Sequence, residues 1–122
     1  MPVVTIEVVV DTDRAIETNL ARSLADVVGR TLASPPGQTW VRLRSLARNH
    51  YAENESPVDA GQLPVFVTIL ERLLPSGANL QAEVTALTRA IAQALDRPAA
   101  CVHIEYSAAA IGRVSFGGEL VE

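Results

Sequence analysis

Val3 to Val10 is a β-rich apolar run that ends at Asp11-Thr12-Asp13, a turn cluster with cap-capable residues. Beyond it Leu20, Leu24, Val27, Val28, Thr31 and Leu32 recur at spacings of three and four. That period predicts one apolar stripe on a helix of roughly Arg14 to Leu32, stopped by Ser34-Pro35-Pro36-Gly37. Thr39 to Leu46 is strand-like, with Val41 and Leu43 on one face and Trp40, Arg42 and Arg44 on the other. Residues 48–56 are polar and loop-like, and Pro57 to Gln62 reads as a connector.

The pattern then starts again. Leu63 to Leu70 echoes the opening of the chain, a second helix is predicted over roughly Asn79 to Leu95, and Cys101 to Tyr106 forms a fourth strand. Pro2 matches Pro64 and Pro36 matches Pro98 at a common offset of 62, which is two copies of a β-α-β unit, 1–62 and 63–122. Each crossover helix has one apolar stripe. The expected fold is therefore α/β: a four-stranded mixed sheet with both helices on one face, plus a short C-terminal arm over Ile111 to Leu120, where apolar and polar residues alternate between glycines.

The uncovered face of that sheet would carry Trp40, Arg42, Arg44, Phe66, Thr68, His103 and Glu105. This mixture is too apolar for water and too polar for a core, so self-association around an axis is expected.

A length of 122 residues fits a single domain over 1–122 that gains from oligomerisation. With 48% hydrophobic and 20% charged residues, the chain is of globular composition. A net charge of -4 without a basic cluster argues against nucleic acid. No apolar run reaches about 18 residues and the opening has no signal-like pattern, so no membrane partner is expected and the cytoplasm is the default location. Cys101 is the single cysteine and reads as a core thiol. The two histidines lack ligand spacing, and no GxGxxG, Walker or GxSxG pattern occurs, so no metal or cofactor is expected.

Candidate chemistry begins at Pro2. Removal of Met1 would leave a secondary amine at the head of a strand, a base whose pKa burial and nearby cations lower toward neutrality. Such an amine can take a proton from the carbon beside a carbonyl and return it elsewhere. Arg72, at the end of the third strand and on the alternation of Pro64, is a candidate carboxylate clamp on the face equivalent to that of Pro2. Trp40, Val114 and Phe116 can wall an apolar pocket, and His103 and Glu105 share a strand face as a candidate polar pair.

The doubled β-α-β pattern, the Pro2 start and the tail Gly112-Arg113-Val114-Ser115-Phe116-Gly117-Gly118-Glu119-Leu120 together resemble the tautomerase superfamily. Within it the chain looks most like the macrophage migration inhibitory factor group and bacterial proteins that fuse two copies of the 4-oxalocrotonate tautomerase unit. The resemblance implies a homotrimer, no cofactor, and Pro2 as general base acting on a small carboxylate-bearing substrate. It also implies that Val114 and Phe116 line the pocket and that His103 and Glu105 reach it from a neighbouring subunit, while Ser34 stands where the factor has a carboxylate-binding lysine. Arg72 lies near the arginine that decarboxylase and dehalogenase members place after their third strand. The expected activity is enol-keto interconversion of a small 2-oxo or hydroxy-unsaturated acid. The alternatives are hydratase- or dehalogenase-like addition of water to an unsaturated acid, and a trimer that acts only by binding or as a structural protein.

Overall fold

Strand β1 (Val3–Val10) sits at the centre of the molecule because both of its edges are paired. It runs parallel to β2 (Trp40–Ala47) and antiparallel to β3 (Val65–Leu70), which is parallel to β4 (Val102–Tyr106), giving the order β2-β1-β3-β4. This computed structural model describes residues 2–11 and 16–122. Met1 and residues 12–15, including most of the predicted turn and the first two positions of the predicted first helix, lie outside the described residues. The mixed four-stranded sheet, with helices α1 (Leu20–Thr31) and α2 (Ala78–Leu95) on one face, is the architecture expected from the sequence.

The core lies between that face and the helices. Val4, Ile6 and Val8 of β1 and Val65, Val67 and Ile69 of β3 point into it, meeting Leu24 and Val28 of α1 and Leu87 and Ile91 of α2. All ten are buried. β1 and β3 alternate buried with half-buried positions because their second face meets no helix.

Two boundaries differ from the sequence expectation, for identifiable reasons. α1 starts at Leu20 because Asn19 adopts a left-handed backbone at φ 77°, which breaks helical continuity with Ile16 and Glu17. β3 starts at Val65 because Pro64 has no N–H for the ladder, although its carbonyl accepts the amide of Val9 at 3.1 Å.

The internal repeat also differs in register. Core-facing Val4, Ile6 and Val8 correspond to Val65, Val67 and Ile69, and Val41 and Leu43 to Val102 and Ile104, one residue short of the offset that matches Pro2 with Pro64. A slip of one residue sends every strand side chain to the other face. The position equivalent to Pro2 is therefore Leu63. The alternation of Pro2 continues through Val4 into the core, whereas that of Arg72 continues from Phe66 and Thr68 on the open face.

The tail closes on itself. β5 (Ser115–Phe116) pairs antiparallel with β6 (Glu119–Leu120) across Gly117-Gly118. Both glycines have positive φ, 61° and 92°, the conformation that a two-residue turn of this hand requires at both central positions.

Candidate active site

The end of β3 is tied down by the segment that follows β4. Ser107 N donates to Ile69 O, Ala110 N to Glu71 O and Ile111 N to Arg72 O at 2.8, 2.8 and 3.2 Å. The Arg72 side chain is also held, its Nε donating to the backbone carbonyl of Glu122. At the adjacent end of β1 the carbonyl of Pro2 accepts the amide of Trp40 at 3.0 Å, so the ring is fixed by the parallel ladder.

Between these anchored ends lies a cavity of about 450 Å³ lined by Pro2, Ser34, Glu71, Arg72, Glu83 and the α1–β2 turn. Pro2 and Arg72, far apart in sequence and on opposite alternations, thus share one cavity because the chain turns after Leu70. Ser34 lines it too, at the position where the family resemblance places a lysine.

Two lining residues had not been singled out from the sequence: Glu71 at the end of β3 and Glu83 in α2. The Glu71 carboxyl is pushed up from 4.5 to about 7, chiefly by burial, then by a hydrogen bond with Glu83 and by the charge of that neighbour, against a smaller lowering by the positive N-terminal amine. As a carboxylate it is poorly served among the described residues, where its Oε1 is buried and meets no partner. Once protonated it has a hydrogen to give to Glu83, which resolves the mismatch. Glu83 is anchored from below by the Tyr106 hydroxyl, which donates to its Oε2 at 2.7 Å. Burial, and then the bond to Glu83, holds the Tyr106 hydroxyl well above its ordinary range, so it remains a donor. A glutamate on the apolar stripe of the second helix, three residues after Leu80 and four before Leu87, was the signal available in the sequence for Glu83.

The remaining sequence candidates fall elsewhere. Trp40 and Phe116 meet edge to face with ring centroids 5.2 Å apart, and with Val3 and Gln38 they bound a smaller cavity of about 160 Å³. Val114 is half-buried and holds the tail by backbone bonds, its amide to Ala110 O and its carbonyl from Val121 N. His103 and Glu105 are exposed on the open face, lining none of these cavities. There His103 continues a row of rings, Tyr51 to Phe66 to His103, with centroids 5.8 and 5.6 Å apart. Across the strands Arg44 meets Glu7 at 3.4 Å. His50 is exposed, and Cys101 is buried as expected. Among the described residues no cluster of three His, Cys, Asp or Glu could hold a metal ion, and no helix is long and apolar enough to cross a membrane.

The fold is that of the macrophage migration inhibitory factor and fused 4-OT structures. Wild-type Q0 fused 4-OT, a symmetric trimer, superposes with a TM-score of 0.71 at 16% identity, covering 98% of this chain and 94% of that one. The macrophage migration inhibitory factor of Oncomelania hupensis gives 0.72 at 20% identity, over 100% of this chain and 83% of that one. Pt0534, in a structure inactivated by 2-oxo-3-pentynoate, gives 0.68 at 16% identity, with 98% and 94% covered. At such identities the likeness is one of fold. No family model and no curated protein matches the sequence.

Proposed function

We propose that this protein is a tautomerase of small 2-oxo carboxylates in which Pro2, freed by removal of Met1, is the general base. The observation that carries this reading is the common cavity of Pro2, Arg72 and Glu71. A ring nitrogen at the head of a strand is a rigid base, and its fixed position lowers the entropic cost of reaching a carbon acid. Arg72 holds the substrate carboxylate through the guanidinium nitrogens left free by the Nε contact to Glu122. The apolar part of the same cavity, Leu32, Pro35 and Leu73, takes the carbon skeleton. The proposed assembly is a trimer, as in the symmetric Q0 fused 4-OT, which would cover the ring-bearing open face and bring the exposed His103 and Glu105 of one copy toward a neighbour.

The test is deuterium incorporation at C3 of 2-oxobutanoate in D2O, followed by NMR, with intact mass confirming the loss of Met1. Pro2→Ala is expected to lower the exchange rate at least a hundredfold. Arg72→Ala is expected to raise KM for 2-oxobutanoate about tenfold or more while leaving exchange of butanone, the same skeleton without the carboxylate, nearly unchanged. A Pro2→Ala protein that exchanges at the wild-type rate would remove the amine from the mechanism.

A further inference from the structure

We propose that Glu71 is the acid partner of Pro2, delivering its carboxyl proton to the substrate carbonyl oxygen while the amine takes the proton from the adjacent carbon. This role rests on the tautomerase reading above, and four features of the molecule support it.

The two groups line the same cavity, so one small substrate can meet both. The Glu71 side chain is arranged for a proton and not for a charge, since its Oε1 is buried without a partner. The neighbouring Glu83 is arranged for the charge. Tyr106 donates to its Oε2, and the same carboxylate shares a hydrogen bond with Glu71. Two carboxyls so close share one proton more readily than they carry two charges.

The fourth feature comes from the internal repeat. At the opposite end of the sheet the same elements, with the two halves exchanged, bound a second cavity of about 300 Å³. Aligning the core faces of the strands matches Glu71 with Val10, and aligning those of the helices, Leu24 and Val28 with Leu87 and Ile91, matches Glu83 with Leu20; Val10 and Leu20 both line that cavity. The architecture is therefore built as well with a valine and a leucine, and the carboxyl pair is not a requirement of the fold.

Among the described residues the charged and titratable groups around Glu71 are Glu83 from α2, Tyr106 from β4 and Arg72 of the shared cavity, beside the positive N-terminal amine, which removal of Met1 would move onto Pro2 of β1. The segment after β4 contributes backbone at Ala110 and Ile111. With one proton shared, the Glu71–Glu83 pair carries a single negative charge, in a cavity that the Arg72 guanidinium also lines. A carboxylate substrate then meets no net repulsion, and the amine is not locked as an ammonium by two adjacent anions.

In the keto-to-enol direction the C3–H bond breaks, its electron pair becomes the C2–C3 double bond, and an N–H bond forms at Pro2. The carbonyl π pair moves onto oxygen, which takes the proton of Glu71 and leaves a carboxylate. Water returns a proton to Glu71 and removes one from Pro2. The reverse direction uses the ammonium and the carboxylate, and no other reactant is consumed.

Full-length protein lacking Met1 is assayed for deuterium uptake by 2-oxobutanoate across pH. The acid must be protonated, so wild-type kcat should fall as pH rises through the raised titration of the Glu71 carboxyl. Glu71→Gln, nearly isosteric but with no proton to transfer, is expected to lower kcat roughly hundredfold with little change in KM and to remove that descending limb. Glu83→Gln should move the limb to lower pH, since it takes away the negative charge that helps Glu71 retain its proton. Carbon-13 NMR of glutamate-labelled wild type should show the Glu71 carboxyl still protonated at pH 6, a readout that does not depend on any variant folding. Glu71 found ionised at pH 6 would overturn the proposal, as would a Glu71→Gln enzyme with wild-type kcat and an intact limb. If Pro2→Ala is inactive in that second case, the tautomerase reading survives and only the acid assignment is lost; if Pro2→Ala is also fully active, both fall.

Discussion

The two cavities at opposite ends of the sheet are the same piece of architecture written with different residues. One is bounded by the end of β3, the turn after α1 and the start of α2; the other by the end of β1, the end of α2 and the start of α1. Where the first has Glu71 and Glu83, the second has Val10 and Leu20, and where the first has Ser34, the second has Arg97. Arg97 is spent on the backbone: its Nη1 donates to Leu63 O at 2.7 Å and its Nη2 to Val9 O at 2.9 Å. Leu63 is the residue that stands where Pro2 stands in the other half, so the second cavity is stapled at the point where the first presents a ring nitrogen. One end of the repeat uses its arginine to hold the backbone, and the other keeps a carboxyl pair, one member raised by burial, beside an accessible pocket, which is where function is expected.

The largest effect should come from making the first cavity like the second. The double substitution Glu71→Val with Glu83→Leu installs residues the fold already tolerates at the equivalent positions, so the protein should remain folded by circular dichroism. Turnover of 2-oxobutanoate should nevertheless fall at least a hundredfold, a barrier increase of about 2.7 kcal/mol. Retained turnover would mean that the difference between the two ends is ornamental to the chemistry.

The opposite manipulation weakens the stapled end. Arg97→Ala removes charged donors from two backbone carbonyls in a half-buried setting, and a loss of about 2 kcal/mol in urea unfolding is expected. Arg97→Lys should recover only part of it, because a single ammonium does not reproduce a planar fork reaching both Leu63 and Val9. Turnover per folded molecule should be unchanged in both variants. If Arg97→Ala instead abolished activity without affecting stability, the division of labour between the two ends would be reversed.

Much of this comparison was already written in the periodicity. Strands with alternating apolar positions, helices with stripes three and four apart, and repeated prolines define two β-α-β halves, and Pro2 and Arg72 were identifiable as candidates at strand ends. What periodicity hides is the register between the halves, because matching prolines by eye aligns Pro2 with Pro64 while the core faces align it with Leu63. That single residue decides which face a strand-end side chain takes. The Glu71–Glu83–Tyr106 cluster was hidden for a different reason: its members come from β3, α2 and β4, and only packing brings them together. Glu71 could be read in sequence as a partner for Arg72 next to it, whereas the folded chain turns it toward Glu83 and leaves Arg72 to the C-terminal carbonyl. His103 and Glu105 were legible as a same-face pair, and both are exposed on one face of β4.

The smallest expected effect isolates the cost of the polar end from its chemistry. The Glu71 carboxyl holds its proton to about 7 in the folded chain but ionises near 4.5 in the unfolded one. Between those values the folded state binds more protons, so stability must fall as pH rises through that window and level off above it. Below about 4.5 both states are protonated and this group contributes no slope. Because the side chain is only partly buried, solvent screens much of the penalty, and the loss attributable to Glu71 between pH 5 and pH 8 should be about 1 kcal/mol. Urea unfolding of wild type and Glu71→Gln at the two pH values measures it: the difference between the proteins should be smaller at pH 5 and should shift in favour of the glutamine variant at pH 8. Parallel pH dependences would show that Glu71 ionises as an ordinary surface carboxylate, and the contrast between the two ends would then reduce to volume and shape. A shift of the expected sign means that the fold is held slightly less stable at neutral pH by a carboxyl retained beside Pro2, at a position where its own second copy uses valine.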